Sequence, residues 1–262
     1  MNTINTLLQK IESAKELDFG TIFSKSIELF KKVWLQGLVS YLLNMLLMIP
    51  VMLVIYVPLI FLGLFSSESF NNEGTSFSEL DSLQVLTIIL TIALAVIVII
   101  VIMAVSLALK AAFFRIIKNK DLGHNESDDY FFFLKKKYLK KTLGLSLVIL
   151  GIVILAYILC VLPILYAIVP LYFIIVAFAM NPDMPNSDIV KAGFKLGNKK
   201  WLITFGLLFV AWLLSTVVGL LMCFIGLYVT QQFIDIPVYQ VYKESIGFNE
   251  TSPIEEIGTP VE

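Results

Sequence analysis

Asp235 is the residue of this 262-residue chain whose type and position could best do chemistry. It follows a charge-free run from Trp201 to Ile234, stands eight residues before Lys243, and has Gln231, Gln232 and Pro237 as neighbours. A charged group at mid-membrane costs about 2.5–3.5 kcal/mol on insertion scales, so such residues turn toward a bundle interior, a watery cavity or a partner cation. Asp235 therefore reads in two ways. It is a proton or cation site in the wall of a polar cavity, or an acid satisfied by headgroup water, a lysine or its own proton. Asn44 is the other clear amide set deep in an apolar run, and it serves either such a site or a hydrogen bond between helices. Asp235, Gln231, Gln232 and Asn44 form the candidate intramembrane polar site.

Other chemistry is sparse. His124, in the polar loop Asp121 to Asp129, is the single histidine, so no centre of several imidazoles can form within the chain. Cys160 and Cys223 both fall in apolar runs, where cysteine behaves as a small hydrophobe. There is no phosphate-binding loop, zinc-protease helix motif or nucleophile elbow. No catalytic, metal-binding or cofactor-binding residue is expected, and the chain does not read as an enzyme.

Composition shows what must position the polar residues. Hydrophobic side chains make up 58% of the chain and charged ones 15%, with a net charge of −1; soluble domains carry about 25% charged residues. Charges are missing from 33–67, 82–109, 142–182 and 201–234. About 20 apolar residues already span a bilayer. The pattern predicts an all-α, polytopic membrane helical bundle and excludes a nucleic-acid binder and a secreted disulfide scaffold. The two longest runs must each fold back, at Pro163 and near Gly219 to Gly226. Six spans are predicted, over about 37–65, 83–109, 142–162, 164–180, 201–221 and 225–242, as three hairpins. The first is read as one helix bent at Pro50 and Pro58. A polar segment, 1–18, precedes this single membrane domain of 19–243, and an acidic tail, 244–262, is predicted to be disordered.

Six passes place all 19 basic residues on one side and leave Glu68, Glu73, Glu79 and Asp81 on the other. By the positive-inside rule, both termini are expected in the cytoplasm, in the plasma membrane. Amphipathic helices are predicted to lie along the cytoplasmic leaflet before the first and fifth spans, at Phe19–Trp34 and Ile189–Trp201. Trp34, Tyr138 and Trp201 hold matching positions before three spans and are expected as interfacial anchors.

The run AMNPDMPNSDIVKAGFKLGNKKWLITFGLL, followed by CFIGLYVTQQFIDIPVYQVYKE, resembles the C-terminal half of a broad group of bacterial integral membrane proteins. That group is similar to the membrane domain attached to some glycerophosphoryl diester phosphodiesterases. The resemblance implies a six-helix plasma-membrane bundle. It brings no phosphodiesterase activity, because the catalytic domain is absent. Some relatives carry a carotene-cleaving oxygenase label, and one histidine cannot supply the four-histidine iron site of that class.

The leading expectation is a non-enzymatic membrane scaffold or envelope factor that engages membrane lipids or other membrane proteins. The alternative is a small transporter with a polar site around Asp235. The two differ in one geometric respect: transport requires Asp235 and Asn44 to converge on a hydrated cavity, whereas a scaffold leaves them at headgroups or with separate partners.

Overall fold

The computed structural model describes residues 4–61, 82–124, 126–159, 161–222 and 225–248. Every regular element among them is helical. In chain order they are α1 (Ile4–Ser13), α2 (Phe19–Leu46), α3 (Met48–Phe61), α4 (Ser82–Leu122), a 3-10 turn (Phe132–Leu134), α5 (Lys136–Ile158), α6 (Val161–Met180), α7 (Asn186–Lys199), α8 (Trp201–Leu221), α9 (Ile225–Thr230), a second 3-10 turn (Gln231–Ile234) and α10 (Asp235–Ile246). Cys160, Cys223, the acidic residues between 66 and 81, and the tail beyond 248 lie outside the described residues.

Five stretches are long and apolar enough to cross a membrane: Phe19–Val54, Val85–Leu122, Lys136–Ile158, Leu162–Met180 and Trp201–Leu221. The structure differs from the sequence reading mainly at helix ends. α2 runs unbroken through Phe19–Leu46, so the expected surface helix and the start of the first span are one rod. Asp18 caps it, accepting from the Thr21 amide at 2.8 Å and the Thr21 hydroxyl at 2.6 Å. Its buried stripe, Ile22, Ser26, Leu29, Val33, Gly37 and Ser40, faces protein. The chain turns at Leu47, ahead of both prolines, and Pro50 falls in the first turn of α3, where a missing N–H costs little. The second span continues past Leu109 to Leu122, about 60 Å of helix.

The last stretch departs most. Residues 225–242 do not form one helix: α9, a 3-10 turn and α10 follow one another, and the interruption falls at Gln231–Ile234. Pro237 contributes, because it cannot donate to the carbonyl of Phe233.

α7 also differs. Its apolar face, Ile189, Ala192, Gly193, Leu196 and Gly197, is buried, and it packs on α6 and α1. The same apolar stripe serves a bilayer surface or a protein core, and here it meets protein. A Cβ on Gly193 would come within 2.8 Å of the Ile174 backbone nitrogen, and one on Gly197 within 2.7 Å of the Pro170 Cα. Only glycine permits that approach of the two helices.

The polar N-terminal segment contains α1, whose Leu7 and Ile11 are fully buried. A ten-residue helix leaves its last carbonyls without partners. Lysines at the end of α7 bond to this end of the helix and the chain after it: Lys199 donates to the Ile11 and Glu12 carbonyls, and Lys200 to that of Lys15, just past α1. Lys195 adds an ion pair with Glu12.

The core is concentrated at the charged end of the bundle. Residues from α1, the first half of α2, the second half of α4, α6, α7 and α10 form one buried cluster. Ion pairs Lys25–Glu244, Lys243–Asp121, Lys195–Glu12 and Lys137–Asp183 tie the same elements together there. At the other end no residue of α4 between Val85 and Met103 is buried. There α8 and α9 pair through Ser215 and Thr230, whose hydroxyls donate to each other's carbonyls at 2.9 and 2.8 Å.

A polar cavity between α2, α4, α6 and the broken helix

Four helical segments wall a cavity of about 230 Å³, lined by Ser40, Tyr41, Asn44, Ser106, Lys110, Tyr172, Gln231, Gln232, Ile234 and Asp235. All four residues of the candidate polar site line it, although Asn44 and Asp235 are far apart in sequence. Gly37 makes the approach possible. A Cβ there would lie 2.9 Å from the Gln232 Cβ, so glycine lets the interrupted segment settle against α2.

Asp235, 4% exposed, begins α10, where the helix N-terminus favours a negative charge. Its Oδ1 lies 2.9 Å from Lys110 Nζ. The ammonium also sits 4.3 Å from the centroid of the Tyr172 ring, a cation–π contact that holds its charge on a second side. The pair is neutral as a unit. Removing one partner leaves an uncompensated buried charge, worth about 3–5 kcal/mol.

One turn away, Ser106 donates to Asn44 Oδ1 at 2.8 Å, and the Asn44 amide donates to the Ser40 carbonyl at 3.0 Å. Asn44 therefore does both things its sequence context suggested, linking α2 to α4 and lining the cavity. The side-chain amides of Gln231 and Gln232 are different. Among the described residues neither has a hydrogen-bond partner. Both side chains are half-buried at the cavity wall. The cavity wall thus carries two unpaired amides beside a charged pair, and its volume accommodates on the order of seven waters.

The expected second span ends at residue 109 and so leaves out Lys110. α4 does not stop at the edge of its apolar run, and Ser106 and Lys110, one turn apart, share a face. That spacing was the available signal. Ser40, Tyr41 and Tyr172 had none.

The anchors take three different places. Trp34 is 45% exposed. Tyr138 is buried, stacked on Phe132 at 5.0 Å and packed on Phe133, so its position before a span reflects the core. Trp201 donates from its indole nitrogen to the Tyr166 carbonyl at 3.1 Å.

Two further clefts lie at the charged end. One, about 250 Å³, includes Arg115, Glu126, Asp129 and Lys135; the other, about 210 Å³, includes Lys25, Asp121, Gln240 and Lys243. Their ions are largely paired: Arg115 with Glu126 at 3.3 Å, Lys135 with Asp129 at 2.6 Å and Lys243 with Asp121 at 2.6 Å. The Arg115 hydrogen bond holds the Glu126 carboxyl below the usual carboxylate range. No protein-family model, curated protein or solved structure matches the chain.

Proposed function

We propose that this chain is a non-enzymatic carrier of the plasma membrane, binding a small polar solute in the cavity around Asp235. The observation that carries the reading is the convergence of Asn44, Lys110, Gln231, Gln232 and Asp235 on one cavity, with both glutamine amides unpaired among the described residues. A scaffold needs no such arrangement. Polar groups of this kind inside a span are costly and concentrate where ions or substrates bind. The tightening to 3-10 geometry at Gln231–Ile234 supports the same reading, since mid-helix 3-10 stretches often mark functional segments.

The reading takes six spans in three hairpins, with both termini cytoplasmic. α9, the 3-10 turn and α10 form the sixth span, about 30 Å long together at helical rise. The gathering of α1, the end of α4, α7 and α10 by ion pairs supports a common cytoplasmic side for the basic segments. With Trp34 at headgroup level, Ser40 and Asn44 lie about 9 and 15 Å deeper along α2, in the cytoplasmic half of the hydrocarbon. The likeness to the membrane domain of certain phosphodiesterases is retained as a proposal about architecture alone.

A second reading, a scaffold engaging lipids or other membrane proteins, is favoured by one feature. α4 is unburied from Val85 to Met103, leaving room for acyl chains or a partner helix.

The test is thiol access. In a chain carrying Cys160→Ala and Cys223→Ala, Ser106→Cys is treated in sealed vesicles with a membrane-impermeant thiol reagent from each side. Labelling at Ser106→Cys, with none at Leu94→Cys, is expected. An unreactive Ser106→Cys would remove the solute-binding reading and leave the scaffold.

A further inference from the structure

We infer that the cavity takes a zwitterion, a ligand bearing one primary ammonium and one anionic group and neutral overall. The inference rests on the solute-site reading above and names its substrate class. With Lys110 Nζ 2.9 Å from Asp235 Oδ1, each ion is the other's principal partner. The Asp235 side chain is only 5% exposed and that of Lys110 30%, so water is a poor substitute for the partner, above all at Asp235. A ligand with a single positive charge would take Asp235 and strand Lys110. A ligand with a single negative charge would take Lys110 and strand Asp235. Either leaves one ion without the counter-charge the pair now supplies, at greatest cost where the stranded ion is the buried Asp235. A zwitterion inserted between them replaces both interactions together, its ammonium on Asp235 and its anion on Lys110.

The rest of the wall suits the same guest. Among the described residues the Gln231 and Gln232 amides have no partner, and each carries a donor and an acceptor, so they can serve both poles of the ligand. Tyr172 lies against Lys110 and keeps the ammonium in place when the carboxylate is drawn away. A volume of about 230 Å³ limits the guest to a small amino acid or to the headgroup of an aminophospholipid. These two sources share the chemistry, an ammonium and an anion a few bonds apart.

The experiment uses the full chain in phosphatidylcholine nanodiscs, whose quaternary ammonium has no N–H for Asp235. Binding is measured for L-alanine and for three analogues: alaninamide (cationic), N-acetylalanine (anionic) and lactamide (neutral). A second arm replaces part of the lipid with phosphatidylethanolamine and reads the thermal midpoint. At least tenfold tighter binding of L-alanine than of every analogue supports a free solute. A raised midpoint with phosphatidylethanolamine alone supports the headgroup. In either case Lys110→Gln and Asp235→Asn should each weaken the response at least tenfold. The paired variant Lys110→Met with Asp235→Leu, which leaves no stranded charge, should keep its ligand-free midpoint and lose the response. An analogue of one charge or none binding as well as L-alanine overturns the inference. So does silence in both arms while Ser106→Cys remains labelled, an outcome that leaves the cavity reading standing. Unreactive Ser106→Cys defeats that reading itself.

Discussion

The indole N–H of Trp201 donates to the carbonyl of Tyr166 at 3.1 Å, and Pro170, four residues after Tyr166, is the reason that carbonyl is free. A proline inside a helix cannot donate to residue i−4. Here the side chain that begins α8 replaces the lost amide, so the proline in α6 creates the acceptor that ties α8 to it.

Trp201→Phe is therefore expected to lower stability by about 0.5–1.5 kcal/mol, the net worth of one exposed hydrogen bond. The same change made together with Pro170→Ala is expected to cost less, because the alanine amide returns to Tyr166. Thermal or denaturant midpoints of the four-member cycle check this, and equal costs in the two backgrounds would exclude the compensation.

The α6–α7 contact allows a second test. Gly193→Ala places a methyl group against the Ile174 backbone, and overpacking of this kind costs about 1–3 kcal/mol. Gly151, also helical, has nothing within 4 Å of a built Cβ. Gly151→Ala is expected to leave stability unchanged or raise it slightly. The difference between the two midpoints is the measurement.

α1 is expected to matter despite its polar composition. Leu7→Ala or Ile11→Ala removes a fully buried side chain, and such changes cost about 2–5 kcal/mol. Proteolysis of the N-terminal segment, followed by mass spectrometry, should accelerate in both variants.

Acid should loosen the start of α2. Hydrogen bonds from Thr21 hold the Asp18 carboxyl below its ordinary value. A group with a depressed folded value stabilises the fold above its unfolded value, about 3.9, and the contribution is lost as pH falls through the folded value. Asp18→Asn keeps a capping side chain that does not titrate. Its thermal midpoint is expected to fall less than that of the wild type below about pH 4.

The helical class and the polar site could be read from the sequence for different reasons. Charge-free runs longer than a bilayer leave only helices as a solution, so Trp201–Leu221 is both an apolar run and a helix. Asp235, Gln231, Gln232 and Asn44 stood out because polar groups are rare in such runs. Helix ends were less legible, since charge marks where hydrocarbon ends and not where hydrogen bonding stops; α4 carries Lys110, Arg115 and Lys118 without a break. The apolar faces of α7 and of the first half of α2 could equally have met lipid, and only tertiary packing decides between lipid and protein. The Lys110–Asp235 pair needed the packing of α10 against α4, two helices more than a hundred residues apart, which no local pattern specifies.

The central claim is that water reaches the two glutamine amides at the interrupted helix. Water-edited solid-state NMR of the chain in lipid, with glutamine side chains labelled, measures this directly. Gln231 and Gln232 are expected to gain magnetisation from water as fast as glutamines at the protein surface. A build-up as slow as that of the buried core around Phe173 and Phe178 would contradict the account.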